Sequence, residues 1–151
     1  MFNRKKNLEK EINKNLSGDI QKIALDWAAF LRAKDELSVE QLSCGGWNIY
    51  RKGINSAYMA FYRDRNAFDI VLHISSYDGE NPVDDDLKEF AWSHVVHCPQ
   101  GCGSSSFCEE SRNRRTIFGK EYESLCQSPL HFSNPNVEEL KKIQELLLLF
   151  Y

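Results

Sequence analysis

Apolar residues at every fourth position predict a helix at the start of the chain. Leu8, Ile12 and Leu16 form one narrow stripe within the otherwise polar residues 4–16, and this spacing is typical of one face of a helix. Because a single stripe buries little apolar surface, we expect residues 1–16 to form an N-terminal helical arm that docks loosely.

A stronger helical pattern begins at Ile20 and predicts a second helix that ends near Ala33 or Lys34. The next segment, residues 36–46, has no helical pattern and contains two glycines. We expect it to be a connection with at most one helical turn. The apolar face of the second helix contains Ile20, Ile23, Ala24, Trp27, Phe30 and Leu31.

Alternating apolar and polar residues then predict three strands, at residues 47–51, 57–63 and 68–74. The last strand alternates most regularly, as is typical of a strand with one buried face. The connections at residues 52–55 and 64–66 are short and rich in glycine, asparagine and aspartate, which favour turns. Since parallel strands need much longer crossovers, we expect an antiparallel meander.

Three aspartates, Asp84 to Asp86, mark the start of a further helix, because negative charge stabilises a helix N-terminus. The apolar pattern continues to about His97, where a proline and a glycine follow. Residues 101–115 are irregular and polar. A loop of this length inside a compact domain needs an anchor.

The C-terminal part of the chain contains shorter predicted elements. We expect a short strand at Thr116–Phe118, a helical turn at Glu121–Cys126 and an extended piece at Pro129–Phe132. Asn134 can cap a last helix that has Pro135 at its first position. The residues of this helix that face the core are predicted to be Leu140, Ile143, Leu147 and Phe150.

These elements predict a single α+β domain over residues 1–151, with an antiparallel β-meander backed by helices and a cysteine-rich irregular lobe at residues 98–126. A chain of 151 residues has the usual size of one domain.

The net charge of −3 argues against a nucleic-acid partner, because such proteins carry a basic excess. No segment has the apolar length of a membrane helix or a signal peptide, so we expect a cytoplasmic protein without a membrane partner.

Four of the five cysteines fall in the predicted lobe, at Cys98, Cys102, Cys108 and Cys126. In the cytoplasm thiols stay reduced, and clustered cysteines there bind metal more often than they form disulfides. Zinc takes four tetrahedral ligands, and the first two cysteines have the close spacing that it favours. We therefore predict a structural zinc site that anchors the lobe. Thiolates would also accept iron or an iron–sulfur cluster.

Two histidines just upstream, His94 and His97, are candidate substitutes for one of these thiolates. His94 also falls on the apolar face of its predicted helix, which favours a core histidine bonded to a backbone carbonyl. His73 alternates toward the outer face of its strand, and we expect it to be exposed. No histidine has a recognisable catalytic spacing from a serine or an acid, so we predict no hydrolytic triad.

The same thiols permit a redox alternative. Arg112 and Arg114 lie near them in the sequence, and nearby positive charge lowers the pKa of a thiol and makes it nucleophilic. Cys102 or Cys108 would then be the reactive thiol, and a neighbouring cysteine would resolve it as a disulfide. Cys44 lies outside the cluster and is a spare thiol in either case.

Aromatic residues crowd the first two predicted strands, among them Trp47, Tyr50, Tyr58 and Tyr62. A concave sheet face with aromatic walls can hold an apolar ligand, so we predict that this group forms a ligand-binding surface. A helix that covers this face would be the more ordinary arrangement.

The segment IFGKEYESLC, the preceding cysteines and the trailing HFSNPNVEELKKIQELL resemble a family of small uncharacterised bacterial proteins common in Gram-positive anaerobes. The resemblance covers roughly residues 17–150 and is most specific from Cys98 to Cys126. It implies an α+β domain with an aromatic-rich meander, clustered cysteines and a final helix, and it implies no established activity.

These observations predict a small cytoplasmic zinc-binding domain whose metal is structural and which binds a small molecule or a protein partner. No catalytic residue is predicted. The first alternative is a thiol-based redox sensor or enzyme. The second is a metal-free domain that binds a small-molecule effector, which predicts a sizeable aromatic-lined pocket and cysteines far apart in space.

Overall fold

A six-stranded antiparallel sheet forms the centre of the fold. The computed structural model of the protein describes residues 4–73, 82–97, 115–123 and 125–150. The strands in chain order are β1 (Leu37–Gln41), β2 (Trp47–Arg51), β3 (Ile54–Tyr62), β4 (Ala67–Leu72), β5 (Val95–His97), β6 (Arg115–Ile117), β7 (Lys120–Tyr122) and β8 (Leu125–Ser133). The order across the sheet is β1-β2-β3-β4-β8-β5, and β6 and β7 form a separate two-stranded ribbon.

Four helices accompany the sheet in the described part of the chain. They are α1 (Arg4–Asn15), α2 (Gly18–Ala33), α3 (Asp85–Ser93) and α4 (Val137–Leu149). None of these described helices combines the length and apolarity that crossing a bilayer requires. Since β1 to β4 follow one another and pair antiparallel, the predicted α+β class with a meander backed by helices is confirmed.

One face of the sheet shares a hydrophobic core with the helices. Trp47, Ile49, Met59 and Ile70 alternate along their strands and are each at most 1% exposed. Burying one large apolar side chain contributes roughly 1.5–3 kcal/mol to folding, so this face supplies much of the driving force. Trp27 of α2 packs into the same core and is fully buried.

The N-terminal helix is part of this core, so the expectation of a loosely docked arm is wrong. Leu8, Ile12 and Leu16 are 1%, 0% and 4% exposed. The helix contacts α2 and β1, and Glu9 forms an ion pair with Arg32. A narrow stripe is sufficient here because the helix lies in the angle between another helix and the edge of the sheet.

The segment predicted as a connection at residues 36–46 contains the edge strand β1, so that prediction is wrong. Its residues pair with β2 along their whole length, from Leu37 opposite Arg51 to Gln41 opposite Trp47. Only Leu37 and Val39 of this strand are buried. Two apolar positions are too few for a clear strand pattern, and the pairing with β2 decides the conformation.

Two predicted helical segments are strands in the structure. The helix expected to reach His97 ends at Ser93, and Val95–His97 continues as β5 on the edge of the sheet. The helical turn expected at Glu121–Cys126 is replaced by the end of β7 and the start of β8. In both places the pairing with distant residues, such as Val95 with Leu130, overrides the local pattern.

The last helix begins two residues later than predicted. Asn136, not Asn134, is its N-cap: the Asn136 side chain accepts a hydrogen bond from the backbone N–H of Glu139, and the Glu139 side chain accepts one from the backbone of Asn136. Asn134 instead has a positive φ of 46° and accepts a hydrogen bond from the backbone N–H of Phe68 at 2.8 Å. The predicted core residues are confirmed as buried: Leu140, Ile143, Leu147 and Phe150.

The IFGK segment forms a tight hairpin between β6 and β7. Phe118 and Gly119 have φ values of 48° and 84°, as a type I′ turn requires at both central positions. A positive φ is costly for phenylalanine, but the Phe118 ring lies 5.4 Å from the ring of Phe150. Trp92 also holds the ribbon, because its Nε1 donates to the carbonyl of Ile117 at 2.8 Å. Gly119 therefore serves the turn.

We predict that Ile12→Ala lowers the free energy of unfolding by about 2–5 kcal/mol, because it removes a fully buried side chain and leaves a cavity. Lys10→Ala on the exposed side of the same helix is the matched control, with an expected change within about 0.5 kcal/mol. Urea denaturation followed by tryptophan fluorescence measures both. Equal effects of the two substitutions would show that the helix is docked loosely after all.

Candidate functional site

The second face of the sheet carries polar and aromatic side chains and is open in the described part of the chain. Paired residues run across it from Glu40 through Asn48, Tyr58 and Val71 to His131. Their side chains are partly or fully exposed, so no described helix covers them. We call this surface the open face and define it by Ser38, Glu40, Asn48, Tyr50, Tyr58, Tyr62, Asp69, Val71, His73, His131 and Ser133.

Tyr50 is held at one end of the open face by Glu40 of β1 and by Asn48 of its own strand. Its hydroxyl donates to the carboxylate of Glu40 at 3.0 Å, and the amide of Asn48 donates to the hydroxyl at 3.4 Å. These bonds orient the ring while the side chain stays partly exposed. The ring is therefore available to a ligand in a fixed position.

Tyr58 lies under the loop between β1 and β2. The loop closes on itself, because Leu42 donates to the carbonyl of Gly46 at 2.7 Å, and Gly46 packs directly on the Tyr58 ring and hydroxyl. Burial raises the pKa of Tyr58, and the adjacent Cys44 thiol and the Tyr62 phenol raise it further. Tyr58 therefore remains neutral at physiological pH.

Tyr62 lies at the far end of β3 between opposite charges. The Arg65 guanidinium stands 4.3 Å from the centre of its ring, in the range of a cation–π interaction. Burial raises the pKa of Tyr62, the carboxylate of Asp69 raises it too, and Arg65 opposes both. The Tyr62 ring therefore already binds one cation of the chain itself, the Arg65 guanidinium.

Trp47 is separated from the three tyrosines with which it was grouped. It lies on the opposite face of β2, where it is 1% exposed and packs in the core. The reason is the two-residue period of the strand, which gives Trp47 the orientation of Ile49 and gives Tyr50 the other. The aromatic surface therefore contains Tyr50, Tyr58 and Tyr62 without the tryptophan.

A pocket of about 190 Å³ lies between α1 and the β1–β2 edge, lined by Asn7, Glu40, Gln41 and Trp47. Pockets for drug-sized ligands usually measure about 300–1,000 Å³. This one is smaller and mostly polar. It does not match the sizeable aromatic-lined pocket that a metal-free effector-binding domain predicts.

His94 is partly buried at the margin of the core, with 27% of its side chain exposed, and it bonds to a backbone carbonyl as predicted. Its Nδ1 donates to the carbonyl of Phe90 at 2.8 Å. Its ring lies 4.5 Å from the ring of Phe90 and 4.8 Å from that of Phe132. Its Nε2 is 3.8 Å from the carboxylate of Glu139, so the described contacts of His94 are those of a structural residue.

His73 lies on the open face as predicted, but the expectation that it is simply exposed is wrong. Its side chain is only partly accessible, and its Nδ1 lies 2.5 Å from the hydroxyl of Ser128. Burial lowers the pKa of His73, and nearby His131 lowers it further. Because His73 lies 55 positions or more before Ser128 and His131, no sequence spacing could have revealed the cluster; only the register of β4 with β8 does.

The predicted metal ligands fall mostly outside the described residues. Cys98, Cys102 and Cys108 lie in residues 98–114, and Cys126 is the second residue of β8. His97 pairs through its backbone with Leu125 in the next strand. Within the described residues no three His, Cys, Asp or Glu side chains are close enough to hold a metal ion, so the zinc site stays a prediction. The remaining cysteine, Cys44, is exposed with a free thiol.

We predict that Gly46→Ala displaces the Tyr58 ring, because the added methyl group would overlap its ring and hydroxyl. We expect a loss of about 1–3 kcal/mol in the free energy of unfolding, typical of an overpacked site. Ser43→Ala, an exposed position in the same loop, is the control. In a Tyr58→Ala background the cost of Gly46→Ala should largely vanish. A cost that persists there would place its origin in the loop backbone.

Comparisons of this chain with protein-family models, with curated proteins and with solved structures each found no match. The resemblance to small bacterial proteins of Gram-positive anaerobes therefore remains a prediction from the sequence.

Proposed function

We propose that this protein is a small binding domain completed by a structural zinc ion. Cys98, Cys102, Cys108 and Cys126 are the proposed ligands, and the open face is the proposed binding surface for a small molecule or a protein partner. The observation that carries the binding role is the row of three partly exposed tyrosines, Tyr50, Tyr58 and Tyr62, on a face that the described helices leave uncovered.

The register of the sheet edge supports the metal site. His97 at the end of β5 pairs with Leu125 at the start of β8, and antiparallel partners have Cα atoms about 5 Å apart. Cys98 is covalently joined to the first of these residues and Cys126 to the second. Two of the four proposed ligands therefore flank the same cross-strand pair, although they are far apart in the sequence.

A zinc ion at this edge would have a clear structural role. The edge strand β5 has only three residues, so few backbone hydrogen bonds hold it. Four thiolates around one ion would tie the end of β5, the start of β8 and the two intervening cysteines together. Binding energy of this kind contributes directly to folding, because the unfolded chain has no preformed site.

The charges of the open face indicate the kind of ligand that it would take. Glu40 and Asp69 lie beside Tyr50 and Tyr62 respectively. Electron-rich rings next to carboxylates favour cationic groups, through cation–π attraction and direct charge pairing. The contact of Arg65 with Tyr62 is an example within the chain. We therefore expect an aromatic or amphiphilic cation, or a cationic side chain of a partner.

The metal part of this proposal predicts one zinc ion per chain in protein purified without chelator, together with a single rapidly alkylated thiol, Cys44. Cys126→Ser should lose the metal and lower the melting temperature, because a three-thiolate site binds zinc less tightly and no longer ties β8 to β5. Elemental analysis, thiol counting and thermal melting measure these quantities.

Cys44→Ser is the matched control, since this exposed thiol lies outside the cluster. It should keep the zinc content and the melting temperature of the unmodified protein. Protein that contains no metal and has several fast-reacting thiols would refute the zinc site. It would favour the redox alternative at Cys102 or Cys108 instead.

The binding part predicts that tryptamine, an aromatic cation, perturbs the tyrosine ring signals of the open face, whereas indole-3-acetate, its anionic counterpart, does not. Two-dimensional NMR of the tyrosine rings during titration measures this. Tyr62→Leu should weaken the tryptamine response at least severalfold because it removes a ring and its π-face. Val137→Ser, at an exposed apolar residue of α4, is the control. Equal responses to both ligands, or to neither, would contradict the proposal.

A further inference from the structure

Two histidines are diagonal neighbours on the open face, His73 directly after β4 and His131 in β8. Val71 pairs with His131 across these strands, and His73 lies two residues further along, on the same face as Val71. The backbone of His73 is held in place, since its N–H donates to the carbonyl of Ser56 at 3.0 Å. Diagonal neighbours of this kind lie about 7–8 Å apart between Cα atoms, within reach of long side chains.

One residue, Ser128, holds a nitrogen of each ring. The His131 Nε2 donates to the Ser128 carbonyl at 2.7 Å, and because a carbonyl only accepts, this nitrogen carries the proton. The lone pair of neutral His131 is therefore on Nδ1. The His73 Nδ1 lies 2.5 Å from the Ser128 hydroxyl, so when Nδ1–H donates to that oxygen the lone pair is on Nε2.

This pattern is characteristic of metal-binding histidines. A ligating imidazole nearly always donates its other ring N–H to a carboxylate, a backbone carbonyl or a water, which fixes the tautomer and the direction of the ring. The Ser128 carbonyl is such an acceptor for His131, and the Ser128 hydroxyl would take the place of the water beside His73. Here a single residue provides both partners.

From this geometry we propose that His73 and His131 bind a divalent transition-metal ion on the open face, through Nε2 of His73 and Nδ1 of His131, with Ser128 as the positioning residue. Neutral imidazole suits zinc, copper and nickel and does not suit calcium or magnesium, which take oxygen ligands. Two protein ligands leave the other coordination positions to water or to a bound ligand.

This site is separate from the proposed thiolate site and does not depend on it. Cys126 lies two residues before Ser128 in β8, so the two sites are neighbours along one strand. The imidazole site is built from residues of β8 and the end of β4, whereas the thiolate site involves the end of β5. Their tests can therefore succeed or fail independently.

The experiment is a titration of the full-length protein with zinc, followed by long-range proton–nitrogen NMR of the histidine rings. The nitrogen shifts identify which ring atom binds the metal, so zinc held by thiolates does not interfere. We expect shifts at Nε2 of His73 and at Nδ1 of His131 at the same zinc concentration. A shift at only one of the rings, or at neither with excess zinc, would overturn the site.

Three variants test the assignment. In His131→Ala the zinc affinity reported by the His73 ring should fall more than tenfold, because the second ligand is lost. Ser128→Ala removes the hydroxyl but keeps the carbonyl, so the affinity should fall about tenfold, as is usual when a ligand loses its orienting partner. Ser133→Ala, exposed on the same face of the same strand, is the control and should match the unmodified protein.

Cys126→Ser separates this site from the cysteine site. The imidazole shifts should persist in that variant even when the tightly bound zinc is lost. If they disappear with the thiolate while the fold is intact, the two histidines belong to the cysteine site and the separate site is refuted. His131 is exposed, so its replacement should leave the melting temperature of metal-free protein unchanged.

Discussion

The pairing of β8 with both β4 and β5 is the interaction on which the rest of the structure depends. It joins the C-terminal part of the chain to a meander formed more than 50 residues earlier, with Leu72 opposite Leu130 and Ile70 opposite Phe132. These four residues are each at most 2% exposed, so the register is specified by burial, and a slip of one residue would turn the apolar side chains to the open face. The same register brings Ser128 to His73 and the start of β8 to the end of β5. The helix α4 follows directly and packs against α2 and α3.

Because side chains alternate along each strand and the pairing aligns the apolar positions of neighbouring strands, the sheet has two chemically different faces. Among the described residues the buried face is almost wholly apolar, and its one charged residue is Arg51 at 8% exposure. This cation is accommodated by the Glu36 carboxylate and the Phe150 carbonyl, at 3.3 Å each, which offsets the cost of burying a charge. The other face carries tyrosine, carboxylate and imidazole side chains that do not take part in the apolar core. Cross-strand hydrogen bonds, such as that of Tyr50 to Glu40, orient side chains on this face.

The elements with strong local patterns were predictable from the sequence. Each of these elements is buried against a single core, and that burial produces a regular spacing of apolar residues in the sequence. Examples are the helical period of α2, the alternation in β2 to β4 and the apolar face of α4. The tyrosines of the candidate face were also predictable as a group. The sequence did not show that Trp47 lies on the opposite face from these tyrosines. That depends on which alternate positions of the strand face the helices, and packing decides where the helices lie. Other elements were not predictable: there are too few apolar positions for a clear pattern in β1, β5 and the start of β8. Their conformation is decided by pairing with strands that are distant in the chain.

By itself the sequence determined the α+β class, the meander and its turns, the core faces of the two strongest helices and the residues able to carry chemistry. These follow from steric preferences and from apolar periodicity, which act within a few residues. Only the tertiary structure decided that the N-terminal stripe is buried, that the described helices leave one sheet face open and that Ser128 bonds to both His73 and His131. The physical reason is that each of these outcomes depends on pairing and burial between residues that are distant along the chain. The spacing of neighbouring residues cannot predict such contacts.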